Sequence, residues 1–320
     1  MADKGLEVLE QYDFNVEQTI RGRGMVIVHT DKGLRILKKY SGSGRHIHWI
    51  VPVLDKLSSM GTVNVDAYVP NKNGEYISTA DDGTRYIVKR WYDCRDCDIK
   101  SVKDVTGAVN ALATLHNQLE KIELTDNLYE GPDIRQDMVR HNNEIFRVKK
   151  YLSKRNNRNS FEQMALKCCD VFYAEGAAAI DGLSENSNAS GACRGLCHGN
   201  YNYHNVCFGT GAPVIINFEK MNVNYQMADL YNIIRKLMEK YDWDIKLGYL
   251  LIGEYDRMRR LDVSDIEMLS YMLSYPEKFW KIMNAYYNSG KSWIPAKNCD
   301  KLKTIIGQNE KRIQFIRTLR

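Results

Sequence analysis

The feature that most constrains the fold is a change of hydrophobic pattern near Tyr92. Before this residue, apolar side chains occur in short runs rich in β-branched and aromatic residues, which are typical of strands. After it, they recur at helical spacing almost to the end of the chain. Strands followed by helices favour an α+β protein over a doubly wound parallel sheet, in which the two alternate. We therefore predict an antiparallel sheet followed by a mainly helical region.

The segment before Tyr92 predicts the order β-β-α-β-β-β, and hence a sheet of about five strands with one helix. Two β-rich runs lie within 16–40 and are joined by the turn at 30–33. The helix after them carries Pro52, which marks its true start or a kink. Its apolar face consists of Ile47, Ile50, Val51, Leu54 and Leu57. Three strand-like segments follow, VNVDAYVP, EYISTAD and TRYIVKRWY.

The remainder of the chain is predicted to be helical with one β interruption. An apolar stripe runs from Val102 to Leu119, and similar stripes cover 133–154, 160–181, 226–240, 244–259 and 263–288. The interruption lies at 196–220, where a turn from Gly209 to Pro213 separates VCF from VIINF and predicts a hairpin. This segment, 196–220, contains the residues with the most unusual sequence pattern in the chain.

Composition excludes several classes of function. With 320 residues the chain is long enough for two packed units. Its 45 basic and 40 acidic residues give a net charge of only +5, too small and too evenly spread for nucleic acid to be the main partner. The basic stretch 297–320 is interpreted as a solvated helix. No apolar run is long enough for a membrane span, and the first residues do not resemble a signal peptide, so we expect cytoplasmic synthesis and no membrane partner.

The eight cysteines do not predict a metal site. Cys94 and Cys97 form one CxxC pair, but no second pair stands at the spacing that a zinc site needs. A redox role for this pair lacks the βαβ context of thioredoxin-like proteins. We interpret the cysteines as reduced thiols that pack mostly as small apolar residues.

The order of these parts resembles the protein-kinase-like two-lobe fold, in its aminoglycoside phosphotransferase and choline kinase branch, and most closely the spore coat proteins of the CotS type. Four motifs carry the resemblance: LATLHNQL at 112–119, HGNYNYHN at 198–205, INFE at 216–219 and MADLY at 227–231. The resemblance implies an N-lobe at 1–92, a hinge near Lys89 to Asp93 and a helical C-lobe at 93–320 that contains the 196–220 hairpin.

In that family the catalytic loop is similar to H-G-D-x-x-x-x-N, in which the aspartate deprotonates the substrate hydroxyl and the asparagine holds magnesium. This chain has His198, Gly199 and Asn200, with Asn205 at the matching distance. Asn200 therefore stands at the base position, and a neutral amide cannot accept the proton. The alternative for His198 and Asn205 is that they only tie the loop together by hydrogen bonds.

The resemblance also implies a metal-binding aspartate in the segment I-D-F-E, where this chain has Asn217 followed by Glu219. An amide oxygen is a poorer ligand for a hard dication than a carboxylate. The candidate metal ligands are therefore Asn205, Asn217 and Glu219. For Glu219, an exposed acid at a strand end is the alternative reading.

The resemblance places the nucleotide beside Lys38 and Trp91. Lys38 resembles the strand lysine that contacts nucleotide phosphates, although the following helix offers only Asp55 in place of the usual glutamate partner. The glycines at 21–24 lie where the phosphate-covering turn is expected, but this short motif is also typical of a strand irregularity. Asp229 is expected to hold the catalytic loop or simply to cap a helix.

Three functions follow from these residues. The first is a spore coat pseudokinase that works in coat assembly or binding, with other spore coat proteins as partners and the coat as its location. The second is an active small-molecule phosphotransferase with an unusual magnesium site through Glu219 and Asn205. The third is a switch that binds nucleotide without transferring phosphate. ATP and magnesium are expected as cofactors only if the cleft still binds nucleotide, and a small molecule is the other candidate ligand.

Overall fold

The computed structural model describes residues 5–22, 24–123, 128–186, 193–288 and 296–320. The chain forms two compact units, the first from Met1–Gly131 with Gly195–Val223 and the second from Pro132–Arg194 with Asn224–Arg320. An antiparallel sheet in the N-terminal region and a mainly helical C-terminal region confirm the predicted α+β class. The lobe boundary at residue 92 stays a prediction. None of the described helices has the length and apolar character needed to cross a membrane.

The first unit is built on a six-stranded sheet whose neighbouring strands are all antiparallel. Its strands are β1 (Val16–Gly22), β2 (Met25–Thr30), β3 (Gly33–Lys39), β5 (Tyr68–Val69), β6 (Ser78–Thr79) and β7 (Arg85–Arg90). They lie in the order β1-β2-β3-β7-β5, and β6 also pairs with β7. The predicted helix is α1 (Gly44–Met60), and α2 (Val102–Leu119) matches the predicted stripe.

The segment 16–40 forms three strands, and the prediction of two is wrong. The first β-rich run divides where Gly22 pairs with Met25, and Gly24 has a φ of 78°. Glycine adopts this left-handed conformation without steric cost, which lets the chain reverse there. Gly22 and Gly24 therefore belong to the hairpin that joins β1 to β2.

Helix α1 follows its predicted pattern, and the five residues of its apolar face are all buried. Pro52 lies inside the helix, so it does not mark the start, which is at Gly44. The helix ends at Gly61, whose φ of 71° is the left-handed conformation common at helix C-termini.

A second, four-stranded sheet of the first unit brings the β interruption next to the segment after α1. Its order is β4-β11-β10-β8, from β4 (Asn64–Val65), β8 (Arg95–Asp96), β10 (Val206–Phe208) and β11 (Val214–Ile215). Strands β10 and β11 are the predicted antiparallel hairpin. Strand β4 pairs in parallel with β11, so the predicted strand VNVDAYVP divides between two sheets. The residue at which it divides is Asp66.

The second unit is helical. Its helices are α3 (Ile134–Lys154), α4 (Ser160–Asn186), α5 (Met227–Met238), α6 (Ile245–Met258), α7 (Val263–Ser274), α8 (Glu277–Asn288) and α9 (Ala296–Leu319). The strands β9 (Arg194–Cys197) and β12 (Asn222–Tyr225) lie where the chain passes from one unit to the other.

Two helical predictions need correction. The segment 263–288 is not one helix, because Pro276 lacks an N–H donor and excludes the helical conformation at Tyr275, which has a ψ of 129°. The basic stretch does form helix α9, but it is not simply solvated. It buries Leu302 and Phe315, and its Arg312 donates hydrogen bonds of 3.1 and 2.7 Å to the carbonyls of Leu273 and Ser274.

Candidate functional site

A cleft of about 420 Å³ in the first unit contains most of the residues singled out from the sequence. Lys38, Asn200, Asn205, Asn217 and Glu219 line it, and they come from β3, from the loop before β10 and from the segment after β11. The β10–β11 hairpin folds the last two segments against each other. These five side chains therefore lie together in one cleft, while their roles in binding stay predictions.

Lys38 lies on β3 and reaches the segment after β11. Its Nζ is 2.7 Å from Asn217 Oδ1 and 3.2 Å from Glu219 Oε1. The Lys38 side chain is 29% exposed and that of Glu219 21% exposed. Asp55 is exposed on α1, so Glu219 pairs with Lys38 where kinases would use a helix acid.

The asparagine amides form a chain across the floor of the cleft. Asn217 Nδ2 donates to Asn205 Oδ1 at 2.9 Å, and Asn205 Nδ2 donates to the carbonyl of Asn200 at 2.9 Å. Asn217 has a φ of 68°, a left-handed conformation that asparagine and aspartate tolerate better than most residues. The amide of Asn205 thus ties the catalytic-type loop to the segment after β11.

His198 holds the loop rather than facing the cleft. It is fully buried, its Nε2 donates to the carbonyl of Ile216 at 2.9 Å, and its Nδ1 accepts the backbone N–H of Asn200 at 3.2 Å. Gly199 has a φ of 76°, and a Cβ there would lie 1.9 Å from the carbonyl oxygen of Lys220. Only glycine fits, so this contact fixes the two segments in close approach.

Trp91 does not line this cleft. It packs against the apolar cluster of Cys207, Val214 and Ile216, and its backbone N–H donates to the carbonyl of Leu34 at 3.0 Å. Its predicted contact with nucleotide stays a prediction.

A buried ion pair that the sequence analysis did not predict lies behind the cleft. Lys89 on β7 and Asp66 after β4 are both completely buried, and Lys89 Nζ is 2.7 Å from Asp66 Oδ2. The same Nζ is 3.2 Å from Glu219 Oε1 and 4.6 Å from the centre of the Tyr68 ring. Asp66 Oδ2 also accepts the backbone N–H of Asn217 at 2.9 Å.

The sequence did contain a signal for this pair. Residues 86–89 form a continuous buried run, Tyr86, Ile87, Val88 and Lys89. A lysine in such a run needs a buried acid, because an unpaired charge in the interior is very costly. Asp66, inside another apolar strand-like segment, was the matching candidate.

These contacts determine the pKa values of Asp66, Glu219 and Lys89. Burial raises the pKa of Asp66 to about 6, although Lys89 opposes this rise. Burial also raises the pKa of Glu219, but the attraction of Lys89 and Lys38 outweighs it and lowers that pKa to about 2. For Lys89, burial lowers the pKa, and the attraction of Asp66 and Glu219 more than compensates, so the pKa lies above its usual value. Lys89 and Glu219 are therefore both charged at neutral pH.

The three candidate metal ligands do not fit a magnesium ion. Asn205 Oδ1 accepts an N–H from Asn217, Asn217 Oδ1 accepts one from Lys38, and Glu219 Oε1 accepts one each from Lys38 and Lys89. The set contains one carboxylate, and two ammonium groups face it. In the part of the chain that the structure describes, no three His, Cys, Asp or Glu side chains form a group that could hold a metal ion.

Three solved structures share this fold, and each is named as a phosphotransferase or a kinase. An aminoglycoside phosphotransferase from Alicyclobacillus acidocaldarius is 18% identical, with a TM-score of 0.84 over 98% of this chain and 94% of that chain. A spectinomycin phosphotransferase in complex with ADP and spectinomycin is 13% identical, with a TM-score of 0.64 over 98% of each chain. An amicoumacin kinase in complex with AMP-PNP, Ca²⁺ and Ami is 14% identical, with a TM-score of 0.64 over 98% of this chain and 94% of that chain. These likenesses confirm the kinase-like fold.

Sequence comparison identifies the family. No curated protein sequence matches the chain. The model of the family described as "Spore coat putative kinase YutH" matches residues 6–319. The chain therefore belongs to this family of spore coat proteins with a kinase-like fold, and the resemblance found in its motifs is confirmed.

Proposed function

We propose that this spore coat protein is a pseudokinase, which uses its kinase-like fold to bind rather than to transfer phosphate. The observation that carries the proposal is the set of contacts of the candidate metal ligands. Asn205, Asn217 and Glu219 all accept N–H donors of the protein itself, and two of these donors are ammonium groups. A dication at these oxygens would have to displace the ammonium groups of Lys38 and Lys89 or lie next to their positive charge.

The base position supports the same proposal. Asn200 lines the cleft, and its amide is neutral at all accessible pH values. Loss of a positioned general base typically lowers a rate by ~10²–10⁴-fold. His198 does not replace it, because both of its ring nitrogens contact the backbone. Loss of the base and a poor metal site act together against phosphoryl transfer.

The family suggests where such a protein works. Its description names the spore coat, so we propose that the protein acts in coat assembly and that its partners are other coat proteins. The kinase-like fold is present although asparagine stands at both catalytic aspartate positions, and a fold of this kind can serve functions other than catalysis.

The proposal predicts that the protein shows no magnesium-dependent consumption of ATP. Phosphate release would be measured for the wild type, for Glu219→Gln and for Glu267→Gln, an exposed glutamate on α7 that serves as the control. We expect all three to remain at the background rate, with and without candidate hydroxyl acceptors. Turnover by the wild type and by Glu267→Gln that Glu219→Gln abolishes would overturn the proposal and favour an active phosphotransferase that binds magnesium through Glu219 and Asn205.

A further inference from the structure

We propose that the ammonium groups of Lys38 and Lys89 take the place of the divalent cation, so that the cleft binds a polyphosphate anion without any metal. This inference rests on the proposed function, because a pseudokinase needs to bind but not to transfer phosphate. In this inference Lys89 is a cation that faces Glu219, a role that the sequence pattern around Lys89 does not suggest.

The first step of the argument is that Lys89 is a fixed internal cation. It is completely buried, and three groups hold it: the Asp66 carboxylate at 2.7 Å, the Glu219 carboxylate at 3.2 Å and the Tyr68 ring at 4.6 Å. Such a cation cannot exchange with solvent as a bound metal ion can. From behind the cleft it shares its single positive charge between Asp66 and Glu219.

The second step concerns Lys38, which faces the cleft. An ammonium group has three N–H donors, and two of those of Lys38 go to Asn217 Oδ1 and Glu219 Oε1. The third remains for a ligand. Lys38 and Lys89 carry two positive charges against the two negative charges of Asp66 and Glu219, so these four groups balance as a set while Lys38 keeps one N–H for an acceptor. A phosphate oxygen can therefore form a charge-assisted hydrogen bond with Lys38.

The third step is the charge of the cleft as a whole. Its lining contains three lysines, Lys38, Lys39 and Lys220, and one carboxylate, Glu219. Lys39 and Lys220 are exposed. The volume of about 420 Å³ lies within the usual range of small-molecule sites. The lining thus supplies the positive charge that a polyphosphate otherwise receives from magnesium.

The test measures binding of ATP, AMP and inorganic tripolyphosphate by calorimetry, in EDTA and in excess magnesium. We expect the wild type to bind ATP and tripolyphosphate in EDTA at least as tightly as in magnesium, and AMP at least about tenfold more weakly, because AMP carries fewer phosphate charges. Lys38→Met should weaken binding of ATP in EDTA by at least about tenfold, since a charged hydrogen bond is lost. Lys38→Arg should recover part of this loss, and Lys103→Met, an exposed lysine on α2, should bind as the wild type does.

The outcomes separate this inference from the proposed function. ATP binding by the wild type that requires magnesium, or that Lys38→Met leaves unchanged in EDTA, would overturn the inference even if no turnover is found. Absence of binding of all three probes in both conditions would overturn it too, and would leave the pseudokinase proposal standing. Phosphate release from ATP concerns the proposed function alone.

Discussion

The variant Lys89→Met should lose about 3–5 kcal/mol of the free energy of unfolding at pH 7, the usual cost of removing one partner of a buried ion pair. The loss arises because Asp66 would keep its place in the interior without the ammonium group 2.7 Å away. Glu219 would also lose one of its two cations. Urea denaturation followed by circular dichroism measures this free energy directly.

Two comparisons show that the loss comes from the buried pair. Lys38→Met removes the partly exposed cation of the same cluster and should cost only about 1 kcal/mol, as exposed ion pairs do. The double change Lys89→Met with Asp66→Asn should be more stable than Lys89→Met alone, because it removes the unpaired charge as well. A Lys89→Met protein as stable as the wild type would contradict the structural role given to this pair.

The double change Asn200→Asp with Asn217→Asp should make ATP binding dependent on magnesium, with an affinity at least about tenfold higher in magnesium than in EDTA. The reason is that two new carboxylates would join Glu219 and supply the oxygen ligands and the charge that a hard dication prefers. The left-handed conformation at position 217 tolerates aspartate. Calorimetry with ATP in the two conditions gives the ratio of affinities.

The matched control carries the same added charge outside the cleft. Asn73→Asp with Asn143→Asp changes two exposed amides, one in each unit, that are not among the cleft-lining residues. This control should bind ATP as the wild type does. If the Asn200→Asp, Asn217→Asp protein shows no preference for magnesium, the two amides are not what prevents metal binding, and the alignment of the loop to a kinase metal site is wrong.

The parts of the fold that depend on local pattern were predictable from the sequence. The apolar stripe of α2 and the turn at Gly209–Pro213 were read correctly, and the hairpin explains why Asn205 and Asn217 lie together. Pro276 was also visible in the sequence, and a stricter use of proline as a helix terminator would have divided α7 from α8.

The sequence indicates that Lys89 needs a buried acid, but it does not give the position of the pair, whose geometry depends on contacts between distant segments. Asp66 faces Lys89 because β4 pairs in parallel with β11 while β5, two residues later, joins the other sheet beside β7. No local pattern specifies that division. The resemblance to kinases identifies Lys38 as a candidate, but it gives no reason to expect that Lys89 also contacts Glu219.

The most direct test of the central claim, that protein N–H groups and not a metal ion occupy these oxygens, is an anomalous difference map at the manganese edge. Crystals of the wild type would be soaked with Mn²⁺ and a non-hydrolysable ATP analogue. The account predicts no manganese peak within bonding distance of Glu219 Oε1, Asn217 Oδ1 or Asn205 Oδ1, with Lys38 Nζ still bound to Asn217 and Glu219. A manganese ion bonded to Glu219, with Lys38 displaced, would contradict it.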